Sequence, residues 1–241
     1  MTDAAGGDRP AVPGDQLAAV LFDMDGTLID SEPLWGVAMD RVAGRLGGTL
    51  SAGAVEATTG LSIPASVELL LADIGSDLDP VSTESLLLEV TGELFAEELR
   101  WQPGAEELID EIRAAGLQTA LVTNSPRSVV QVALDLLGGH RFDVTIAGDE
   151  VAAGKPDPEP YLSAIRGLGL ESANCLAVED SPSGTESAVA AGIAVLVVSA
   201  GVAVPEGPGR IFASSLLGAT VEELRHIHHE FRRSRHRLDA S

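Results

Sequence analysis

The stretch AAVLFDMDGTLIDSEPLW (residues 18–35) determines the fold prediction, because an apolar run ends there in two closely spaced carboxylates. Residues 17–23 carry no charge before Asp23, which predicts a strand that is buried on both faces. Asp25 follows two residues later. Two like charges at such a strand end repel each other, so a metal ion, a reaction or an exposed turn has to account for them.

Downstream of residue 101, strand-like and helix-like segments alternate with short connections. The predicted strands are residues 117–123, 142–148, 173–180 and 193–200, and amphipathic helical segments separate them. Such alternation predicts right-handed crossovers and an α/β fold, with a three-layer, Rossmann-like and mostly parallel sheet.

The domain organisation follows from a long helical region between the first two strands. Residues 32–101 contain helical patterns broken by glycine and proline, which predicts a helical cap domain inserted into the core. The other predicted units are a disordered tail (1–16), an α/β core (17–31 with 102–222) and a C-terminal helix with a basic tail (223–241).

Composition excludes several classes of partner. Of 241 residues, 37 are Asp or Glu and only 15 are Lys or Arg, a formal net charge of -22 that argues against nucleic acid. No apolar run reaches the roughly 18 residues of a membrane span, and the N-terminus lacks the pattern of a signal peptide. A lone cysteine, Cys175, indicates a reducing compartment. We therefore expect a cytoplasmic monomer that acts on a small molecule.

Polar residues collect where the predicted strands end. Since ligands of open α/β sheets bind at the carboxyl ends of the strands, these residues form a candidate site. Clustered carboxylates favour Mg²⁺, whereas a hydroxyl and an ammonium group suit a phosphate, which predicts a small phosphorylated metabolite as partner. The residues are Asp23, Asp25, Thr123, Asn124, Asp149, Glu150, Glu179, Asp180 and Lys155, the only lysine of the chain.

These features also have purely structural interpretations. The DMDG segment (23–26) is compatible with an ordinary turn, and the polar pairs at 123–124 and 179–180 are compatible with helix caps. The His- and Arg-rich segment at 225–237 could bind a metal or a polyanion, but a solvated helix with a basic end is the favoured interpretation.

Four segments, in this order, resemble the motifs of the haloacid dehalogenase superfamily: FDMDGT, LVTNS, GKPDPEPY and VEDSPSG. The helical region after the first motif is similar to the C1-type cap of that family. DMDGTLIDSEPLW resembles the branch of beta-phosphoglucomutases and sugar phosphatases. The resemblance covers roughly residues 17–200 and implies phosphoryl transfer.

The resemblance also implies roles for individual residues. Asp23 would attack phosphorus and form an aspartyl-phosphate, and Asp25 would protonate the leaving oxygen and later activate water. Thr123, Asn124 and Lys155 would bind the phosphate.

The resemblance likewise implies a set of metal ligands. Mg²⁺ would lie between Asp23, the backbone carbonyl of Asp25 and Asp180. Glu179 would be a further ligand or would lie just behind the ligands.

The cap decides between related functions. In the mutase branch, a histidine follows the DSE-type segment, and a lysine and an arginine in the cap loop bind a second phosphate. This chain has Trp35 at the first place, and Thr59 and Ile63 where the basic pair is expected. We therefore predict an Mg²⁺-dependent phosphatase of sugar or polyol phosphates. The alternatives are a beta-phosphoglucomutase-like phosphotransferase and a non-catalytic regulatory protein that keeps the fold.

Overall fold

The structure is a computed structural model, and it describes residues 16–58, 61–198 and 203–239. Within these residues, six strands form one parallel sheet in the order β3-β2-β1-β4-β5-β6. The strands are β1 (Ala19–Phe22), β2 (Gln118–Val122), β3 (Val144–Ile146), β4 (Cys175–Glu179), β5 (Ala194–Val198) and β6 (Arg210–Ala213). The predicted α/β fold with a parallel sheet is confirmed.

A helical insert leaves the sheet after β1. It comprises α1 (Glu32–Arg45), α2 (Ala52–Ala57), α3 (Ile63–Asp73) and α4 (Pro80–Glu98), which enclose their own apolar core. The two connections to the sheet run side by side: the Asp30 amide donates to the Arg100 carbonyl over 3.0 Å, and the Gln102 amide donates to the Leu28 carbonyl over 2.7 Å. The insert is thus attached through a short paired segment. That residues 32–101 form a separate cap domain remains a prediction.

Helices cover both faces of the sheet. They are α5 (Ala105–Ala114), α6 (Arg127–Leu137), α7 (Glu159–Leu168), α8 (Pro182–Ala190) and α9 (Val221–Asp239). Val20 and Phe22 pack on the face shared with α5, α6 and α9, whereas Ala19 and Leu21 pack with α7 and α8. All four side chains are inaccessible to solvent, because a central parallel strand is covered on both sides. This explains the uninterrupted apolar run in the sequence.

Strand β6 was not predicted from the sequence. It is only four residues long, lies at the edge of the sheet beside β5 and exposes Phe212. A short edge strand after a segment rich in proline and glycine carries neither strict alternation nor a continuous apolar run, so periodicity does not reveal it.

The two ends of the chain compare differently with the predictions. The predicted disordered tail lies outside the described residues except for Gln16. The predicted C-terminal helix is present as α9, and it begins at Val221. Among the described residues, no helix is both long enough and apolar enough to cross a bilayer.

Candidate active site

The candidate site lies where β1 ends in the middle of the sheet. β1 pairs with β2 on one side and with β4 on the other, so its end is the switch point at which open α/β sheets bind ligands. The Asp23 amide still donates to the Val178 carbonyl over 3.0 Å. A tight turn follows, because the amides of Leu28 and Ile29 both donate to the Met24 carbonyl. The turn holds Asp23 and Asp25 at the sheet edge.

A buried ion pair forms the centre of the site. Lys155 Nζ donates to Asp23 Oδ1 and to Glu179 Oε1, each over 2.6 Å. Burial raises the pKa of Asp23 well above its usual value, although the charge of Lys155 opposes this shift. Burial lowers the pKa of Lys155, but the two carboxylates outweigh burial and hold that pKa above its ordinary value. Lys155 therefore remains a charged ammonium group.

Glu179 is held by donors at both of its oxygens. Oε1 accepts from Lys155 and, over 2.7 Å, from the Tyr161 hydroxyl. Oε2 accepts from the Ser181 hydroxyl over 3.1 Å and from the Asp180 and Ser181 amides over 3.3 and 3.4 Å. The side chain is completely buried. Glu179 thus ties the lysine to the start of α8.

Asp180 lies against the turn that follows β1. A Cβ at Gly26 would come within 2.1 Å of Asp180 Oδ2, and Gly26 has a φ of +79°, so only glycine suits this position. Thr27 Oγ1 lies 3.4 Å from Asp180 Oδ1. Burial, followed by the charge of Glu179, raises the pKa of Asp180 to about 7. The carboxylate is therefore packed where its charge is poorly compensated.

The three buried carboxylates form a group that could hold a divalent metal ion. Asp23, Glu179 and Asp180 each offer an oxygen, and these oxygens lie within 4.8 Å of one another. Among the described residues, the only ammonium group that contacts these carboxylates by hydrogen bonds is that of Lys155. A divalent cation bound by carboxylate oxygens would balance the remaining charge. The donor set and its charge therefore fit such a metal.

The Asp25 carboxylate lies in a different environment, among hydroxyl groups. Ser31 Oγ donates to Oδ1 over 2.6 Å, and Ser125 Oγ donates to Oδ2 over 2.7 Å. Thr123 Oγ1 lies 3.4 Å from Oδ2. The Asp25 side chain does not belong to the acidic group described above. Its contribution to a metal site through the backbone carbonyl remains a prediction.

Asn124 positions the loop that carries Lys155. Its Oδ1 accepts from the Lys155 amide over 2.8 Å, and its Nδ2 donates to the Lys155 carbonyl over 3.2 Å. Thr123 is almost fully buried, and its Oγ1 accepts from the Ser125 amide over 3.0 Å. Phosphate binding by Thr123, Asn124 and Lys155 remains a prediction, but the first two clearly shape the site.

Two of the strand-end residues lie elsewhere. Asp149 accepts from the Arg127 amide over 2.9 Å, and Glu150 forms an ion pair with the Arg127 guanidinium. Both carboxylates are exposed. Both side chains hold the start of α6. They lie away from the end of β1, because β3 is an edge strand and β2 separates it from β1.

The polar residues of the site that the sequence analysis does not single out include Tyr161 and the two serines that bind Asp25, Ser31 and Ser125. Both serines lie within quoted motifs, directly after Asp30 and Asn124. Tyr161 closes the GKPDPEPY segment and is the only tyrosine of the chain. The occurrence of a single tyrosine in the chain is a signal in the sequence that points to Tyr161, just as the occurrence of a single lysine points to Lys155.

Replacing Gly184 tests how closely α8 packs on Glu179. A Cβ at Gly184 would lie 1.9 Å from Glu179 Oε1, so Gly184→Ala should lower the free energy of unfolding by about 1–3 kcal/mol. The control is Gly44→Ala in α1, where nothing lies within 4 Å and alanine should stabilise the helix by about 1 kcal/mol. Urea denaturation measures both variants. Equal stabilisation by the two would contradict the packing.

Replacing Asp180 tests the environment of that carboxyl. Folding raises its pKa from 3.8 to about 7, so the folded state binds more protons than the unfolded state between these values. Stability is consequently lost as pH rises through this range. With a chelator present to remove divalent metal ions, the melting temperature of Asp180→Asn should exceed that of the wild type. The difference between the two should grow from pH 4 to pH 7. If the difference in melting temperature does not depend on pH, the pKa of Asp180 is not raised by folding.

Comparison with known proteins assigns the chain to a family. The family model for haloacid dehalogenase-like hydrolases matches residues 17–192. The phosphorylated carbohydrates phosphatase of Thermotoga maritima is 32% identical over 178 residues, which are 73% of this chain and 82% of that protein. The phosphoglycolate phosphatase of Cupriavidus necator is 34% identical over 203 residues, which are 83% and 88% of the two chains.

A solved structure agrees with these relatives. A variant of CbbY from Rhodobacter sphaeroides, in complex with xylulose-1,5-bisphosphate, superimposes with a TM-score of 0.76. The two chains are 28% identical, and the match covers 87% of this chain and 99% of the other. The predicted relationship is confirmed: the chain belongs to the haloacid dehalogenase-like hydrolases.

Proposed function

We propose that this protein is an Mg²⁺-dependent phosphatase that hydrolyses small phosphomonoesters, specifically sugar or polyol phosphates. The observation that carries the proposal is the pairing of two aspartates in unlike environments. Asp23 is buried against the ammonium group of Lys155, whereas Asp25 is hydrogen-bonded to hydroxyls. One carboxylate is suited to attack and the other to proton transfer. A cytoplasmic location and a monomeric state remain predictions.

In the first step, an oxygen of Asp23 attacks phosphorus and the bond to the leaving oxygen breaks. Asp25 donates a proton to that oxygen, so the sugar or polyol leaves as a neutral alcohol. The product on the enzyme is an aspartyl-phosphate. Lys155 stabilises the negative charge of the transferring phosphoryl oxygens throughout this step.

In the second step, water attacks phosphorus and Asp25 accepts a proton from it. The bond between phosphorus and the Asp23 oxygen breaks, which releases inorganic phosphate and regenerates the carboxylate. Asp25 therefore serves first as an acid and then as a base. The serines that bind it keep its carboxylate in place for both transfers.

The acidic group provides the place for the metal. Asp23 and Asp180, with the backbone carbonyl of Asp25, would bind Mg²⁺, which would offset the repulsion between the carboxylates and an incoming phosphate dianion. Glu179 already accepts hydrogen bonds at both oxygens. This supports a place for Glu179 behind the ligands rather than among them.

The helical insert favours a leaving group without a second phosphate. Its basic residues are Arg41, Arg45 and Arg100, of which Arg41 lies 3.8 Å from Glu98 and Arg45 lies near acidic residues of α4. Trp35 packs edge-on against Phe95, with 6.1 Å between the ring centroids.

The two positions predicted to replace the basic pair of the mutases carry no charge. Ile63 packs against the apolar core of the insert, and Thr59 lies outside the described residues. A relative named as a phosphatase of phosphorylated carbohydrates is consistent with a sugar substrate.

A substrate screen tests the proposed activity directly. The protein should release phosphate from at least one member of a panel of sugar and polyol phosphates, and only with Mg²⁺. Asp23→Asn should lose activity by at least about a thousandfold, because the amide cannot act as the nucleophile. Circular dichroism should show an intact fold for this variant. More than a few per cent residual activity would rule out Asp23 as the nucleophile.

Product analysis separates the phosphatase from a mutase. A second phosphate buried beneath the insert without a counter-charge costs several kcal/mol, which weakens bisphosphate binding by about a hundredfold or more. With β-glucose 1-phosphate and a trace of glucose 1,6-bisphosphate, free phosphate should accumulate and little glucose 6-phosphate should form. If glucose 6-phosphate forms faster than free phosphate is released, the protein is a mutase and the phosphatase proposal is wrong.

A further inference from the structure

The single lysine and the single tyrosine of the chain meet at one oxygen. Glu179 Oε1 accepts from Lys155 Nζ over 2.6 Å and from the Tyr161 hydroxyl over 2.7 Å. Lys155 Nζ also lies 5.3 Å from the centroid of the Tyr161 ring, within range of a cation–π interaction. Tyr161 thus contacts Lys155 through its ring and through Glu179.

The hydroxyl of Tyr161 is not required for packing of the side chain in the core. The side chain is fully buried in the core between the sheet and α7, where a phenylalanine ring would fill the same space. Burial, followed by the charge of Glu179, raises the pKa of the hydroxyl well above its ordinary value, so it stays a neutral donor. Its proton is thereby available to the Glu179 carboxylate.

We propose that Tyr161 is a positioning residue for phosphoryl transfer, whose hydroxyl fixes Glu179 so that the Lys155 ammonium group is held at Asp23. The inference rests on the proposed phosphatase function. Without the hydroxyl, Glu179 Oε1 keeps only its bond to Lys155. Glu179 is then held only through Oε2, so Oε1 and the Lys155 ammonium group can shift together. Small displacements of a group that binds the transferring phosphoryl oxygens reduce the rate strongly.

Tyr161→Phe removes only the hydroxyl and tests the kinetic consequence. A lost hydrogen bond to a charged group predicts that kcat falls between about tenfold and a hundredfold. The matched control is Thr91→Val in α4, which removes another buried hydroxyl, one that donates to the Leu87 carbonyl over 2.8 Å. Thr91→Val should retain the wild-type kcat, even where both variants lose a similar amount of thermal stability.

Lys155 can be observed by itself, because the chain has no other lysine. Protein labelled with ε-¹³C lysine should show one Cε signal with two distinct proton shifts, as expected for an immobilised side chain beside an aromatic ring. In Tyr161→Phe the difference between the two proton shifts should become smaller, because the lysine side chain is less immobilised. In Thr91→Val the two shifts should stay unchanged. This spectrum does not depend on turnover, so it separates failure of the inference from failure of the proposed function.

The outcomes decide the inference in either direction. A lower kcat together with an altered Lys155 signal supports it. Where the wild type shows turnover, a change in only one of the two measurements, or in neither, overturns it. If the wild type shows no turnover, the proposed function fails, and an unaltered Lys155 signal in Tyr161→Phe still overturns the inference.

If Tyr161→Phe does not fold, wild-type protein containing 3-fluorotyrosine provides the test through one ¹⁹F resonance. Inorganic phosphate with Mg²⁺ should then shift both the ¹⁹F and the Lys155 signals. A shift of the Lys155 signal alone would overturn the inference.

Discussion

Three buried carboxylates and one ammonium group occupy the end of the central strand, and the local structure depends on that imbalance of charge. Asp23, Glu179 and Asp180 are at most 7% exposed, and Lys155 bonds to only two of them. Removing charges from water is costly unless they are paired and hydrogen-bonded. The site compensates with hydroxyl and amide donors around Glu179, and it leaves Asp180 with a raised pKa. A metal ion would complete the compensation.

The backbone around the site is arranged to let these carboxylates approach one another. Gly26 has no side chain where Asp180 lies, and Gly184 has none where Glu179 lies. The first allows the turn after β1 to pack against the end of β4, and the second allows α8 to begin directly over the glutamate. The parallel pairing of β1 with β4 sets the distance between these two ends. Sheet topology and two missing Cβ atoms together create the acidic group.

The sequence reveals the frame of this arrangement more readily than its hydrogen bonds. β1, β2, β4 and β5 are covered on both faces, so their apolar runs were recognisable, and Asp23, Lys155, Glu179 and Asp180 could be placed together. The edge strand β6 lacks that signature. The pairing of Asn124 with the Lys155 backbone and the contact of Tyr161 with Glu179 were also missed. Such contacts depend on loop conformation, which residue periodicity does not encode.

Two aspartates separated by one residue acquire different chemistry because their neighbours come from different parts of the chain. Asp23 faces inward to Lys155, which is held by Glu179 at the end of β4. Asp25 faces Ser125 after β2 and Ser31 at the entrance to the helical insert. A carboxylate beside a fixed cation suits nucleophilic attack on a phosphate, and one among neutral hydroxyls suits proton transfer. The proposed division of labour thus originates in the fold, since the two residues are chemically identical.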